Sequence, residues 1–217
     1  MDAYVKSRIG GGMHKGVVHI VDDDAAVRDA LCLMLSASGF AVQTYSGAQA
    51  FLSAVPAGVG CVLTDINMPG IDGLEMQRRL RAQGVRLPVI VMTGRGDVAG
   101  AVRAMKTGAI DFLEKPLVEA ALLDAVIRAL RQSELWHLTD QEAANAQMRL
   151  ASLTRRETEI FHLLAAGQPT KTIANQLGSS PRTVEVHRAR IMEKLAASGI
   201  ADLVRLSLAA GSCDVRV

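Results

Sequence analysis

Aromatic side chains are scarce in this sequence: four Phe, two Tyr and one Trp make up 3% of 217 residues. Its core must therefore be mostly aliphatic and rich in Ala. Cysteine is scarce as well. Cys32, Cys61 and Cys213 are odd in number and widely spaced, which argues against a disulfide framework or a zinc site and fits a reducing cytoplasm. No apolar run approaches the roughly 18 to 20 residues that a membrane helix needs. The opening "MDAYVKSRIGGGMHKG" lacks the apolar middle of a secretory signal. It reads as a loose, disordered extension over residues 1–16, with Met13 an alternative natural start. Strong net charge is missing too, with 24 basic against 22 acidic side chains. The imbalance is local. Residues 1–150 carry 15 basic and 16 acidic groups, and residues 151–217 carry 9 and 6. That mild positive excess points the C-terminal part toward a nucleic-acid partner without deciding the matter.

Hydrophobic residues nevertheless make up 49% of the chain, enough for one large domain or two small ones. Short apolar runs recur at 17–21, 40–45, 61–64, 88–92 and 109–113. Between them fall residues at helical spacing: Val27, Leu31, Met34 and Leu35; Leu74, Met76 and Leu80; Val98, Val102 and Met105. Alternation of this kind predicts βαβ units, hence a doubly wound, parallel five-stranded α/β sheet covered on both faces. Gly39, Gly84 and Gly108 each follow a helical segment, where a left-handed stop is wanted. Beyond Pro116 the pattern is helical throughout. Residues 134–148 contain neither Gly nor Pro and read as a stiff helical linker, to which Trp136, Leu135 and Leu138 add either a tether or simply the apolar side of the helix.

In a doubly wound sheet, ligands sit beyond the carboxyl ends of the strands. The first predicted strand ends in Asp22-Asp23-Asp24, the third in Asp65, the fourth in Thr93 and the fifth in Glu114-Lys115-Pro116. Each has an ordinary reading alone: Asp24 as a helix cap, Lys115 as a surface lysine, Thr93 as strand-end filler. Their coincidence on one rim supplies the parts for phosphoryl transfer. Clustered carboxylates attract Mg²⁺, which takes one or two carboxylates plus phosphate oxygens and keeps several waters. Asp65 can then act as an in-line nucleophile, Lys115 can offset charge on the transferring oxygens, and Thr93 can donate to the new phosphoryl oxygen.

"HIVDDD", "LTDINMPGIDG", "VMTGRGDV" and "DFLEKP" closely resemble the receiver domain of two-component response regulators, a flavodoxin/CheY-like fold, over residues 17–133. The resemblance implies that Asp65 is the phosphoacceptor for a sensor histidine kinase. It implies Mg²⁺ held by Asp22, Asp23, Asp65 and the backbone carbonyl of Asn67. It also implies a switch pair, Thr93 and Phe112, with Lys115 stabilising the phosphoryl group. An alternative of another class is an aspartyl-phosphate phosphohydrolase of the haloacid-dehalogenase type. That enzyme needs a second Asp two residues after the nucleophile, where this chain has Asn67, and a cap domain for which there is no room.

The C-terminal "LTRRETEIFHLLAAG" opens with Thr154 and Glu157 spaced as a capping box. In "TKTIANQLGSSPRTVEVHRARIMEKL" (170–195) Thr170 can cap one helix, Gly178 permits a turn, and Ser180 caps a second helix with Pro181 at its first position. Ala174 suits a close helix crossing. Val184, His187, Ile191 and Leu195 form a core-facing stripe, with His187 a semi-buried packing residue. Arg182, Glu185, Val186, Ala189, Arg190 and Glu193 form a mixed face that can enter a major groove, while Lys171, Thr183, Arg188 and Lys194 reach phosphates. The plain alternative is an ordinary αα-hairpin. Residues 149–211 resemble the LuxR-type helix-turn-helix domain, with 212–217 a tail. Together with the receiver, this implies the NarL/FixJ class of transcription regulators, closest to the FixJ branch. "QPTKT" (168–172) departs from the usual entry to the first helix of the motif, so docking details are not carried over.

The combined expectation is a phosphorylation-dependent, cytoplasmic, DNA-binding regulator that is not an enzyme. It would form a homodimer through Val102, Arg103, Lys106 and Asp111, with a second contact from 200–210. Its partners would be a sensor histidine kinase, promoter DNA with an inverted repeat, and RNA polymerase. A regulator that binds DNA unphosphorylated and is released by phosphorylation remains the alternative.

Overall fold

The computed structural model describes residues 16–54 and 57–211. The expected extension up to Lys15, with Met13, and the tail over 212–217, with Cys213, lie outside the described residues. The chain forms two compact units that divide between His137 and Leu138.

In the first unit the strands are β1 (Val17–Val21), β2 (Ala41–Tyr45), β3 (Gly60–Asp65), β4 (Val89–Thr93) and β5 (Asp111–Glu114). All neighbours pair in parallel, in the order β2-β1-β3-β4-β5. Side chains alternate between the two faces, so the sheet feeds two cores. Val18, Ile20, Cys61, Leu63, Ile90 and Met92 pack on one side with Leu31 and Leu35 of α1 (Ala25–Ala37) and with Leu122 and Val126 of α5 (Glu119–Leu150). Val21, Val62, Val89 and Val91 pack on the other with α2 (Ala48–Ser53), α3 (Gly73–Ala82) and α4 (Val98–Thr107). The α4 face differs from the sequence expectation. Val98, Val102 and Met105 keep helical spacing but point outward, and Gly100, Ala101 and Ala104 are the buried residues. Small side chains let α4 sit close to the sheet.

The expected linker 134–148 lies within α5, a continuous helix over Glu119–Leu150. Trp136 is half-buried under the Arg86 guanidinium, while Leu135 and Leu138 are exposed. Ser133, also on α5, is buried and accepts a hydrogen bond from Gly60 N–H at 3.0 Å. Nothing in the local sequence announces that contact.

The second unit contains α6 (Arg155–Ala165), α7 (Thr170–Gln176), α8 (Pro181–Lys194) and α9 (Ile200–Ala209). Its core gathers Ile160, Phe161, Ile173, Val184, Ile191, Leu195 and Leu203, with Ala146 from α5. Thr154 and Glu157 form the capping box of α6. Ser180 caps α8 by accepting from Thr183 N–H at 3.1 Å, with Pro181 at the helix start. Thr170 does not cap α7. The cap position is Pro169, which has no side-chain acceptor, and the Thr170 hydroxyl instead donates to Glu185 at 2.7 Å. Gly178 adopts φ 58°, the left-handed turn conformation between the two helices.

His19, on β1, is the buried titratable group with the clearest consequence. It is 2% exposed, packs against Tyr45 and Phe51, and its Nδ1 lies 3.4 Å from the Tyr45 hydroxyl. Burial pushes its pKa down to about 4. Below the ordinary value near 6.5 the unfolded chain takes up a proton that the folded chain refuses, so stability falls with pH until about 4. Urea unfolding of the wild type should lose on the order of 3 kcal/mol from this group over that interval. His19→Leu should show a correspondingly shallower dependence.

Candidate functional site

The carboxyl ends of β1, β3, β4 and β5 lie side by side, and the structure brings three expected residues into direct contact there. Lys115 Nζ sits 2.7 Å from Asp65 Oδ1 and 3.3 Å from Asp22 Oδ2. Both carboxylates are withdrawn from water, Asp65 at 8% exposure and Asp22 at 1%. Asp65 Oδ2 accepts from Asn67 N–H at 2.9 Å, and Asp22 Oδ1 accepts from Asp24 N–H at the same distance. Arg28 fixes the Asp22 backbone by donating to its carbonyl at 2.8 Å. Burial works against the Lys115 charge, but hydrogen bonding and attraction from Asp65, then Asp22, outweigh it and hold the Lys115 pKa above the ordinary lysine value. The group is therefore an ammonium throughout the physiological range.

Around this trio, Thr93 is buried at the end of β4, its hydroxyl 3.5 Å from the Leu113 carbonyl. Asp24 caps α1 by accepting from Ala26 N–H at 2.8 Å. Asp23 is exposed. Among the described residues no three acidic, His or Cys side chains converge as a ready-made metal cage. The expected set of Asp22, Asp23 and Asp65 is thus represented in contact by Asp22 and Asp65, bridged by a lysine. That donor set still fits Mg²⁺. Two buried carboxylates against one ammonium leave a net negative charge, and hard oxygen ligands suit a dication that retains its waters. Phe112 faces outward at 44% exposure. Together with Val98, Val102 and Met105 it borders an apolar groove of about 310 Å³ that reaches Thr93. Arg103 and Lys106 are exposed beside it, and Asp111 pairs with Arg128.

Gly73 is part of the mount that sequence reasoning passed over. It opens α3 directly beneath Asp65, and its N–H donates to Ile66 O at 3.0 Å. A Cβ there would collide with the Asp65 carbonyl oxygen. The Pro-Gly loop could have signalled a tight turn, but not which glycine touches the acidic strand end.

In the second unit, Lys171, Arg182, Thr183, Glu185, Val186, Ala189 and Arg190 are exposed, and Arg188 is half-exposed. Glu185 accepts from Thr170 and lies 3.8 Å from Arg188. Lys194, expected among the phosphate contacts, is exposed but also bound within the unit. Its ammonium is 2.6 Å from Glu157 Oε2 and 3.4 Å from the Ser152 carbonyl. Glu157 is 3% exposed, and hydrogen bonds from Lys194 and then from Thr154 hold its pKa down at about 2. Lys194 therefore secures α6 to α8. His187 is half-buried, with its Nδ1 enclosed and unpaired.

A family model for the response regulator receiver domain matches residues 18–127, and one for bacterial regulatory proteins of the luxR family matches residues 151–207. The transcriptional regulatory protein FixJ of Bradyrhizobium diazoefficiens is 45% identical over 91% of this chain and 97% of its own length. FixJ of Azorhizobium caulinodans is 48% identical, covering 89% and 92%. The chain is a response regulator of the NarL/FixJ class, near its FixJ branch. Among solved structures, the response regulator StyR superposes with a TM-score of 0.78 at 39% identity, over 89% of this chain and 98% of that one. Full-length FixJ from B. japonicum gives 0.55 at 44% identity, over 92% and 99%. This response regulator therefore joins a receiver domain to a LuxR-type DNA-binding domain. No helix among the described residues is long and apolar enough to cross a membrane.

Two outcomes follow from the contacts of this response regulator. Gly73→Ala forces the Asp65 backbone to move and should cost about 1–3 kcal/mol in urea unfolding. Lys194→Met leaves the buried Glu157 carboxylate without its cation and should lower the melting temperature. Adding Glu157→Gln to it should recover part of that loss, because the pair is coupled.

Proposed function

We propose that this regulator is switched by phosphorylation of Asp65, with a sensor histidine kinase as phosphodonor and promoter DNA as the output partner. The observation that carries the reading is the buried Asp65–Lys115–Asp22 contact at the strand ends, in the same chain as a helix-turn-helix unit.

The Asp65 carboxylate attacks phosphorus in line, a new O–P bond forms, and the P–N bond of the donor phosphohistidine breaks, returning the electron pair to the imidazole. Lys115, kept charged by its two carboxylates, offsets the charge on the transferring oxygens. Asn67 N–H orients the Asp65 side chain so that one carboxylate face is presented to the donor. Mg²⁺ held by Asp22, Asp65 and the Asn67 carbonyl, with Asp23 at the rim, would supply further neutralisation of the phosphoryl oxygens. Phosphorylation adds about −1.5 to −2 charges at this rim. The Thr93 hydroxyl leaves its long contact with Leu113 for the phosphoryl group, and the outward Phe112 ring turns into the space behind it.

The surface altered by that movement carries Val102, Arg103, Lys106 and Asp111, and is the proposed dimer contact. A two-fold pair would set its α8 helices about 34 Å apart, one turn of DNA, and read an inverted repeat. Arg182, Glu185, Val186, Ala189 and Arg190 would face base edges, and Lys171, Thr183 and Arg188 phosphates. Lys194, exposed at the end of α8 beside Glu157, would be a further phosphate contact. RNA polymerase is the further partner on the promoter, and the cytoplasm the compartment.

Sedimentation of the full chain with Mg²⁺, before and after a small-molecule phosphodonor, tests this directly. The wild type should gain one phosphate by intact mass and shift from monomer to dimer, and Asp65→Asn should do neither. Phosphate on Asp65 with no dimer would remove dimerisation from the proposal, and failure to take up phosphate would overturn it.

A further inference from the structure

The face of α8 assigned to DNA carries a carboxylate, that of Glu185. Its side chain is 53% exposed and stands between Arg182 and Arg188, about one helical turn away in each direction. A negative charge carried toward a phosphate-lined groove is repelled. Some contact with the DNA must offset that repulsion, and the surroundings of Glu185 indicate its kind.

The carboxylate is held by one oxygen. Thr170, at the start of α7, donates its hydroxyl to Glu185 Oε1 at 2.7 Å, and the Arg188 guanidinium lies 3.8 Å from the same atom. Among the described residues, no hydrogen bond or ion pair engages Oε2. The Thr170 hydroxyl could have capped α7. It is directed to Glu185 instead, and the cap position, Pro169, has no side-chain acceptor. An exposed glutamate ordinarily loses rotamer freedom when it binds, and fixing Oε1 beforehand removes part of that cost. Ala189, one turn further along the same exposed side, adds only a methyl group. A base edge can therefore approach closely.

From this arrangement we infer that Glu185 is a specificity-determining residue that selects a cytosine in the target DNA, with Thr170 as its positioning residue. The inference rests on the DNA-binding reading above. Glu185 Oε2 accepts a hydrogen bond from the cytosine N4 amino group in the major groove. Only cytosine and adenine present an amino donor there, while guanine and thymine present acceptors that repel a carboxylate. Adenine also sets an acceptor, N7, beside its amino group, and cytosine does not. The ionised acceptor makes the contact stronger than one between neutral groups.

The test is selection of random-sequence duplex DNA by the full chain with Mg²⁺, before and after a small-molecule phosphodonor, followed by sequencing of the recovered pools. The wild type should enrich a sequence in which one position is cytosine, favoured about tenfold or more over the other bases. Glu185→Gln should change that position, and no other, to adenine, because an amide offers adenine a donor and an acceptor side by side. Thr170→Val should weaken the cytosine preference at the same position, and Thr170→Ser, which keeps the hydroxyl, should preserve it. A mere brace between α7 and α8 would alter melting without altering the base chosen at one position. Thermal melting checks that each variant is folded. Glu185→Ala, which should lose the preference without gaining adenine, replaces Glu185→Gln if that variant is not. An enriched sequence that is the same for the wild type and the Glu185 variant overturns the inference and leaves the DNA-binding reading standing. No enriched sequence from the wild type in either state overturns both. A cytosine preference undiminished in Thr170→Val overturns the positioning role of Thr170.

Discussion

Two carboxylates taken out of water beside one another repel, and the receiver unit is organised around that repulsion. Asp22 and Asp65 come from the ends of β1 and β3, which are neighbours in the sheet, while Lys115 follows β5, with β4 between. Only a long side chain can cross the end of β4 and reach both acids. The parallel frame brings three chain segments distant in sequence to one rim, and two hydrophobic cores hold it there. An ion pair buried in this way is weak support for stability, because desolvation consumes much of the attraction. Its value is chemical: it holds a nucleophile, a cation and a net negative charge in one small volume.

The helical unit meets a similar problem on a smaller scale. Glu157 closes the capping box of α6 and is buried while charged, so it too requires a cation. Lys194, at the last turn of α8, provides it. One ion pair thus links α6 to the end of α8, and the Thr170–Glu185 hydrogen bond links α7 to the same helix. These polar contacts act on α8 alongside its buried Val184 and Ile191.

Much of the fold was legible because its determinants are local. Short apolar runs, glycines at helix ends, and caps such as Asp24, Thr154 and Ser180 act within a few residues of themselves. The strand edges moved for equally local reasons. Phe40 and Ala109, expected in strands, instead close the preceding helices through N–H bonds to Leu35 and Ala104. Less legible were choices between competing partners. Thr170 is a good capping residue by type, but a carboxylate on the next helix takes its hydroxyl. Val98, Val102 and Met105 have the spacing of a buried stripe, yet the sheet accepts only the small side of α4.

The sequence by itself determined the parallel α/β architecture, the helical second half, and the set of residues at the strand ends. These follow from periodicity, caps and the rule that strand termini share one rim. The tertiary structure alone decided which of those residues touch. It paired Lys115 with Asp65 and Asp22, left Asp23 in water, tied Lys194 to Glu157, and buried the Gln77 amide. Each depends on distances between segments far apart in the chain and on competition for a single hydrogen bond or charge. A one-dimensional pattern does not encode the outcome of that competition.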